Sequence, residues 1–160
     1  MYTRLPEHKR TLATLVYAIR DDEVLLHKRT KDPNKGLWVA PGGKLEPTES
    51  PTECAIREMR EETGLTLEDP TLRGVMVEVS PRPDYQWITF IFAATRWEGE
   101  LTPAAGIGEF RWVRIPDVFS LPIPPTDQIF FARVARLADP PFLLKFMYDA
   151  DLRITRMDEG

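Results

Sequence analysis

Three glutamates in residues 50–63 have a spacing that could bind a metal ion. In a helix each residue advances by about 100°, so Glu58, Glu61 and Glu62 share one arc of roughly 100°. Like charges at this spacing destabilise a helix by roughly a few tenths of a kcal/mol per pair. A hard cation such as Mg²⁺, which prefers oxygen ligands, would offset that repulsion. The glycines at 42–43 let the backbone approach a ligand closely and present a carbonyl group.

The same glutamates have a second interpretation, a solvated acidic helix face neutralised by Arg57 and Arg60. The spacing of the surrounding residues distinguishes the two interpretations. From Gly43 to Leu65 the chain reads Gly-x5-Glu-x7-Arg-Glu-Met-x-Glu-Glu-x-Gly-Leu. This pattern resembles the Nudix box at every fixed position. The matching residues are Gly43, Glu49, Arg57, Glu58, Met59, Glu61, Glu62, Gly64 and Leu65. A chance match has odds on the order of one in a billion per starting point, which favours the metal-binding interpretation.

The resemblance implies a hydrolase that cuts a nucleoside diphosphate linked to another group, with Mg²⁺ as cofactor and Mn²⁺ able to substitute. By matching positions, Glu58 and Glu62 resemble direct metal ligands, and Glu61 resembles a further ligand or a general base. The carbonyl of Gly42 resembles the backbone ligand that precedes the box. The resemblance also implies that Glu49 and Arg57 orient the site, with Arg57 pairing to a carboxylate at the junction of loop and helix.

Other site residues are expected outside the box. Arg29 and Lys28, at the end of a predicted strand, match the place where the family often has a phosphate-binding cation. A further acidic ligand is expected from Glu98, Glu100 or Glu109, and Glu109 is favoured because it precedes a Phe-Arg-Trp-Val run. For each of these residues, an ordinary exposed side chain is the alternative.

The lead-in to the box and the C-terminal third resemble the MutT-type branch, which hydrolyses oxidised purine nucleoside triphosphates such as 8-oxo-dGTP. This resemblance makes Asp127 a candidate residue for contacting the purine edge, although a role as N-cap or as a first-turn acid that complements the helix dipole explains it equally well. Thr126 replaces a second acid, and Val39 replaces an Asn, which leaves strict 8-oxoguanine recognition open. The alternatives are another nucleoside diphosphate derivative, such as ADP-ribose, a dinucleoside polyphosphate or a nucleotide sugar, and a non-catalytic nucleotide-binding module.

Aromatic side chains could stack on a base, although most buried aromatics belong to a core; the candidates are Trp38, Tyr85, Trp87 and Phe90. Cys54 is expected to be a small buried residue and not a nucleophile, because no base is near it in the sequence. His8 and His27 have no partner pattern and receive no role.

The elements that must position these residues are predicted from periodicity and turn signals. Ser50 suits the helix N-cap, Pro51 the first helical position, and Glu53 completes a capping box. Gly64 suits the C-terminal cap, where φ is often positive. The predicted apolar runs and strands cover residues 12–19, 24–28, 37–40, 72–79, 87–97 and 110–115, a second helix covers 126–138, and a final hairpin covers 142–148 and 152–157. Mixed strands with two helices predict an α/β fold, and the family implies an α/β/α sandwich around a mixed β-sheet, as one domain over 1–160.

Composition narrows the class of protein further. The chain has 160 residues, 42% hydrophobic and 29% charged, which is typical of a globular domain. The net charge of −4 argues against a broad nucleic-acid-binding surface. No apolar run approaches the length of a membrane span, and the polar first ten residues do not resemble a secretory signal. The single cysteine excludes a disulfide within the chain and fits the cytoplasm. A small nucleotide is therefore the expected partner, for a monomer or a homodimer.

Overall fold

The computed structural model describes residues 9–160, which form eleven strands, two α-helices and one 3₁₀ helix. The strands are β1 (Thr11–Arg20), β2 (Glu23–Lys28), β3 (Trp38–Val39), β4 (Gly42–Lys44), β5 (Thr66–Leu67), β6 (Thr71–Val79), β7 (Trp87–Ala94), β8 (Trp97–Glu98), β9 (Phe110–Arg114), β10 (Phe142–Tyr148) and β11 (Ile154–Glu159). The helices are α1 (Pro51–Thr63), α2 (Pro125–Ala135) and the 3₁₀ helix Ile115–Ser120.

Nine of the strands form one mixed sheet. Its order is β11-β10-β6-β7-β1-β2-β3, with β4 added to β1 and β9 added to β2. The β1/β7 and β10/β6 pairs are parallel, whereas the other pairs in this sheet are antiparallel. The remaining two strands, β5 and β8, pair with each other. The sheet therefore splits beside β1, where β2 and β4 each pair with a different part of that strand.

The sheet has a separate core on each face, one under each helix. Alternate residues of a strand point to opposite faces, so β1 contributes Tyr17 to one core and Val16 to the other. Phe130 of α2 packs with Tyr17, and Met59 of α1 packs with Val16. This arrangement confirms the predicted α/β/α sandwich around a mixed sheet.

The first helix begins and ends where the sequence predicts. The Ser50 hydroxyl accepts a 3.1 Å hydrogen bond from the amide of Glu53, which satisfies one free donor of the first turn. Gly64 ends the helix with φ of 76°, a conformation that favours glycine. The helix presents Ala55 and Met59, both buried, to the sheet. The caps set the ends of α1, and the packing of Ala55 and Met59 fixes its rotation and thereby the direction of its glutamates.

Several predicted boundaries were wrong, for reasons of long-range contact. The second helix ends at Ala135 instead of residue 138, because the guanidinium of Arg73 binds the carbonyls of Arg133, Arg136 and Asp139. The strand predicted over 87–97 is interrupted after Ala94, since its last residues pair separately with β5.

Two further differences concern short segments. The strand β4 was not predicted, because two of its three residues are glycines with weak strand propensity. The final strand starts at Ile154, because Leu152 has a positive φ of 58° in a turn that the carboxylate of Asp149 stabilises. No helix within residues 9–160 is both long enough and apolar enough to cross a membrane.

Candidate active site

A cleft of about 1180 Å³ lies on the face of the sheet that α2 covers. At one end it is lined by Gly42, Gly43 and Glu62, where β4 meets the first helix. At the other end it is lined by Glu78 of β6 and by Asp127 in the first turn of α2. The cleft therefore connects the acidic helix predicted from the sequence with a second acidic region on other elements.

Arg57 occupies the centre of a carboxylate network on α1. Its Nε atom donates to Glu49, and its Nη2 atom donates to the other oxygen of Glu49 at 2.9 Å. Its Nη1 atom donates to Glu58 at 2.8 Å and to Glu61 at 3.1 Å. Its Nη2 atom also reaches the carbonyl of Lys44 at 3.1 Å. One guanidinium thus ties the loop before the helix, strand β4 and two helix glutamates together.

The same ion pairs lower the pKa of Glu49 to about 2, chiefly through the hydrogen bond from Arg57. Glu58 behaves differently, since burial raises its pKa although Arg57 lowers it. Glu61 is largely exposed. Arg57 therefore neutralises part of the acidic face, as the solvated-face interpretation expected.

Glu62 makes no hydrogen bond to Arg57, and it is the one glutamate of α1 that lines the cleft. Its Oε2 atom accepts a 3.2 Å hydrogen bond from the amide of Gly42. Burial first, and the nearby Glu58 second, raise the pKa of Glu62 to about 7. A buried carboxylate next to a second one is the arrangement that a bound cation would stabilise.

The two glycines of β4 are required for this geometry. A Cβ atom on Gly43 would overlap the carboxylate of Glu58, and a Cβ atom on Gly42 would overlap the carbonyl oxygen of Thr14. The carbonyl of Pro41 accepts a 2.8 Å hydrogen bond from Val16 of β1. Successive residues of an antiparallel strand direct their peptide groups to opposite sides, so those of Gly42 point away from β1. Its amide meets Glu62, and its carbonyl is presented on the same side.

These groups fit a hard divalent cation. All the donors are oxygens, from Glu58, Glu62 and the carbonyl of Gly42, which is the ligand type that Mg²⁺ prefers. Residues 9–160 contain no group of three His, Cys, Asp or Glu side chains arranged to hold a metal ion. A cation here would therefore depend on two carboxylates, a backbone carbonyl, water and substrate phosphates, which is typical of Mg²⁺.

At the far end of the cleft Asp127 is buried with both carboxylate oxygens hydrogen-bonded. Oδ2 accepts a 3.2 Å bond from the hydroxyl of Tyr17, and Oδ1 accepts a 2.9 Å bond from Thr126. Burial, opposed by these two bonds, raises the pKa of Asp127 to about 7. No side chain caps the N-terminus of α2 at its N-cap residue, Pro124. Asp127 is thus an acid in the first turn of α2, as the helix-dipole alternative expected, and its carboxylate is held by Tyr17 of β1 and by the adjacent Thr126.

The family model of the NUDIX domain matches residues 9–134 of this chain.

The chain belongs to the Nudix family.

Two relatives and one solved structure agree with this assignment. YvcI, an uncharacterized Nudix hydrolase from Bacillus subtilis, is 38% identical over 110 residues, covering 67% of this chain and 68% of that protein. The human diphosphoinositol polyphosphate phosphohydrolase 3-alpha is 30% identical over 114 residues, covering 71% of this chain and 68% of that protein. A crystal structure of a MutT protein from Bacillus halodurans has a TM-score of 0.83 and 32% identity, covering 94% of this chain and 97% of that one. The protein is thus an enzyme of the Nudix hydrolase class, whose members act on diphosphate bonds.

Of the two predicted phosphate-binding residues, Arg29 lines the cleft and Lys28 does not. Arg29 lines the cleft of this Nudix hydrolase, and its Nε atom is held by the carbonyls of Pro33, at 2.6 Å, and Lys31, at 3.0 Å. Lys28 is exposed and lines a second, shallow depression, which Arg29 and Glu109 also line. Arg29 therefore borders both the cleft and this depression, whereas Lys28 is absent from the lining of the cleft.

The predicted additional acid is not in the cleft. The carboxylate of Glu109 accepts a 3.0 Å hydrogen bond from Arg111, and its carbonyl binds the amide of Lys28, which holds it at the edge near β9. Glu98 lies in β8, and Glu98 and Glu100 are both exposed and outside the cleft lining. Glu58 and Glu61 are also absent from that lining, so the role of Glu109 as a further metal ligand stays a prediction.

The predicted base-contacting residues divide into two groups. Val39, Thr126, Tyr85 and Trp87 line the cleft. Trp38 is buried in the core with the guanidinium of Arg111 4.5 Å from its ring centre, so it does not face the substrate. Phe90 packs against the core on the α1 side of the sheet.

Three residues that received no role are also placed. Cys54 is buried, as predicted, and burial raises the pKa of its thiol. His27 lines the cleft and stacks on Phe110, and burial followed by the charge of Arg29 lowers its pKa to about 4. His8 lies outside the described residues.

Sequence reasoning missed Glu78, a buried carboxylate in the cleft. A single acid within the otherwise apolar run Val75 to Val79 was the signal that could have identified it, since an unpaired charge in a buried strand is costly.

Proposed function

We propose that this Nudix hydrolase is a MutT-type pyrophosphohydrolase, which converts purine nucleoside triphosphates, including oxidised ones such as 8-oxo-dGTP, to a monophosphate and pyrophosphate. The observation that carries the proposal is the shape of the cleft. It joins the acidic end at Glu62 to the buried carboxyl group of Asp127 in the first turn of α2. One extended ligand with phosphates at one end and a polar base at the other would contact both.

At the phosphate end, Glu58, Glu62 and the carbonyl of Gly42 would hold Mg²⁺ or, in its place, Mn²⁺. When bound, such an ion neutralises charge on the phosphoryl oxygens and lowers the pKa of a coordinated water. Arg29, which faces the cleft, would contact the phosphate chain as a charged donor.

The residues around this centre would orient it. Arg57 holds Glu58 and Glu61 at fixed distances, and Glu49 fixes the guanidinium from the opposite side. Glu61, which is exposed beside this network, would act as a further ligand or as the general base. In-line attack by water on phosphorus requires this kind of positioning more than covalent chemistry by the protein.

At the base end, Asp127 would read the polar edge of the purine. Since its pKa is about 7, its carboxyl group can accept or donate a hydrogen bond near neutral pH. The methyl groups of Val39 and the hydroxyl of Thr126 line the same region, and Tyr85 and Trp87 offer aromatic faces for stacking.

The charge balance of the cleft argues against a highly phosphorylated substrate such as the one in the name of the human relative. Its lining includes four basic residues, Arg29, Lys44, Arg82 and Arg153, and five acidic ones, Asp32, Glu62, Glu78, Asp84 and Asp127. A site for a polyanion would need an excess of cations away from the metal. ADP-ribose, dinucleoside polyphosphates and nucleotide sugars remain alternatives that experiment must separate.

A substrate panel with Mg²⁺ tests the proposal. Purified protein would be given dGTP, 8-oxo-dGTP, dATP, ADP-ribose, a diadenosine polyphosphate and a nucleotide sugar, with pyrophosphate and phosphate release measured separately. We expect pyrophosphate release from the purine triphosphates to exceed turnover of the other substrates. Turnover of another diphosphate, with the triphosphates left intact, would contradict the proposal. Glu58→Gln and Glu62→Gln are the inactive controls, and turnover that survives both would exclude a catalytic role for this helix.

A further inference from the structure

A second buried carboxylate faces the cleft from β6. Glu78 is 7% exposed and lines the cleft beside Tyr85, Trp87 and Tyr148. Its neighbour on the same face of the strand, Met76, belongs to the apolar core. A carboxylate buried at such a position is costly unless it has hydrogen-bonding partners.

Two tyrosines from different elements hold one oxygen of this carboxylate. The hydroxyl of Tyr148, at the end of β10, donates to Oε2, and the hydroxyl of Tyr85, just before β7, donates to the same atom at 3.4 Å. The two rings also meet edge to face, with centroids 5.7 Å apart. Glu78 is therefore clamped in one orientation from both sides of its strand.

The other oxygen, Oε1, is available to a ligand. Within residues 9–160 no hydrogen bond to Oε1 is found, and it is not among the sealed polar atoms of that region, which are His27 Nδ1, Arg73 Nε and Trp87 Nε1. Oε1 thus opens onto the cleft that Glu78 lines. Each oxygen of Asp127 accepts one hydrogen bond from the protein and keeps a second lone pair for a ligand, whereas Oε1 of Glu78 accepts none from residues 9–160.

The tyrosine hydroxyls also determine what this oxygen can do. Each has a single proton, and both protons go to Oε2, which favours the ionised carboxylate. Burial opposes this and raises the pKa of Glu78, so binding a further N–H donor would stabilise the buried charge. A ligand group that contacts Oε1 should therefore be a hydrogen-bond donor.

We propose that Glu78 is a specificity-determining residue, whose Oε1 atom accepts a hydrogen bond from an exocyclic amino group of the substrate base. This inference rests on the proposed function, hydrolysis of nucleoside triphosphates, and adds to it a rule for which bases are preferred. A base that lacks the donor leaves a buried acceptor unpaired, and sites of this kind reject such analogues strongly.

Matched substrate pairs test the rule. dGTP and dITP differ only in the 2-amino group of the base, and dATP and the triphosphate of deoxynebularine differ only in the 6-amino group. For one of these pairs we expect wild-type kcat/KM to favour the amino-bearing member by at least about tenfold. Glu78→Gln should reduce that ratio by about tenfold or more, because the amide that the tyrosines hold by its oxygen turns an NH₂ group toward the base.

Two further variants separate a specificity role from a structural one. Tyr148→Phe removes one donor to Glu78 and should lower the ratio by a smaller factor without reversing it. Glu68→Gln makes the same chemical change at an exposed position outside the cleft and should leave the ratio unchanged. Thermal melting of each variant checks that the fold is retained.

Binding of the product monophosphates without metal provides a second readout, followed through intrinsic tryptophan fluorescence. Trp87 contributes to this signal and pairs with Glu78 across β6 and β7. The Kd ratio of dGMP to dIMP, or of dAMP to its deoxynebularine analogue, should change in Glu78→Gln as the kcat/KM ratio does. Unchanged ratios in both assays, with the triphosphates still cleaved, would overturn the role of Glu78 and leave the proposed function standing. A wild-type protein that neither cleaves nor binds these nucleotides would overturn both.

Discussion

The Oε2 atom of Glu62 lies 3.2 Å from the backbone nitrogen of Gly42, whose N–H group donates to it. This bond joins the acidic helix α1 to β4, a strand of only three residues. It brings Glu62, whose pKa burial raises, next to the peptide group of Gly42, which faces away from β1. The acidic end of the cleft is therefore built by one helix and one glycine-rich strand held in fixed relation.

Alanine substitutions at the two glycines of β4 should have different effects. In Gly43→Ala the new Cβ meets the movable carboxylate of Glu58, so we expect activity about 10- to 100-fold lower with near-normal stability. In Gly42→Ala the new Cβ meets the backbone carbonyl of Thr14, which cannot move away. The free energy of unfolding should therefore fall by about 1–3 kcal/mol. Turnover and chemical denaturation of both variants check this. Equal losses of stability in the two variants would contradict the different contacts that we assign to the two glycines.

Arg57→Lys should impair catalysis more than folding. A lysine cannot reproduce the forked donation to Glu49 together with the bonds to Glu58 and Glu61. We expect kcat/KM to fall about 10- to 100-fold, as for other residues that orient metal ligands. The matched control is Arg60→Lys at an exposed position on the same helix, which should retain wild-type activity. A twofold effect or less at Arg57 would show that its network is not needed.

The buried carboxyl group of Asp127 predicts a pH dependence of stability without metal. Its pKa rises from 3.8 to about 7 on folding, chiefly through burial, so the folded state holds the proton more tightly. The contribution of Asp127 to the free energy of unfolding is fully present below about pH 4 and is lost as pH rises through about 7. Each pKa unit corresponds to ~1.4 kcal/mol, so Asp127→Asn should remove roughly 2–4 kcal/mol of that pH-dependent loss. Chemical denaturation of wild type and Asp127→Asn in EDTA between pH 4 and 8 measures this difference. Identical pH profiles of stability for the two proteins would refute the prediction.

Arg73 predicts a stability defect remote from the cleft. Its side chain is 2% exposed and donates to the carbonyls of Arg133, at 3.1 Å, Arg136, at 2.9 Å, and Asp139, at 2.8 Å. Arg73→Met leaves these carbonyls without their donor, and we expect a loss of about 3 kcal/mol in the free energy of unfolding. The exposed pair of Arg96 with Asp69 is the control, since Arg96→Met should cost about 1 kcal/mol or less. Similar losses in the two variants would contradict the capping role of Arg73.

Local features of this chain could be predicted from sequence. Ser50 and Gly64 mark the ends of α1 because capping depends on a few neighbouring residues. The shared face of Glu58, Glu61 and Glu62 follows from helical geometry alone. The family box then identified the chemistry, because its fixed residues all lie within one short segment.

The parts that could not be predicted depend on contacts between distant segments. Glu78 is held by Tyr148, which is 70 positions away in the chain, and no local pattern shows that pairing. The end of α2 depends on Arg73, whose hydrogen-bond partners lie 60 to 66 positions further along. The placement of Glu109 outside the cleft follows from the pairing of β9 with β2, which the run of residues around it does not reveal.

The most direct test of the central claim is a ³¹P NMR time course of a purine nucleoside triphosphate with Mg²⁺. The proposed function predicts that wild-type protein forms one nucleoside monophosphate and one pyrophosphate per substrate, and that Glu62→Gln or EDTA stops the reaction. Formation of a nucleoside diphosphate with orthophosphate, or an unchanged triphosphate in the presence of Mg²⁺, would contradict the claim.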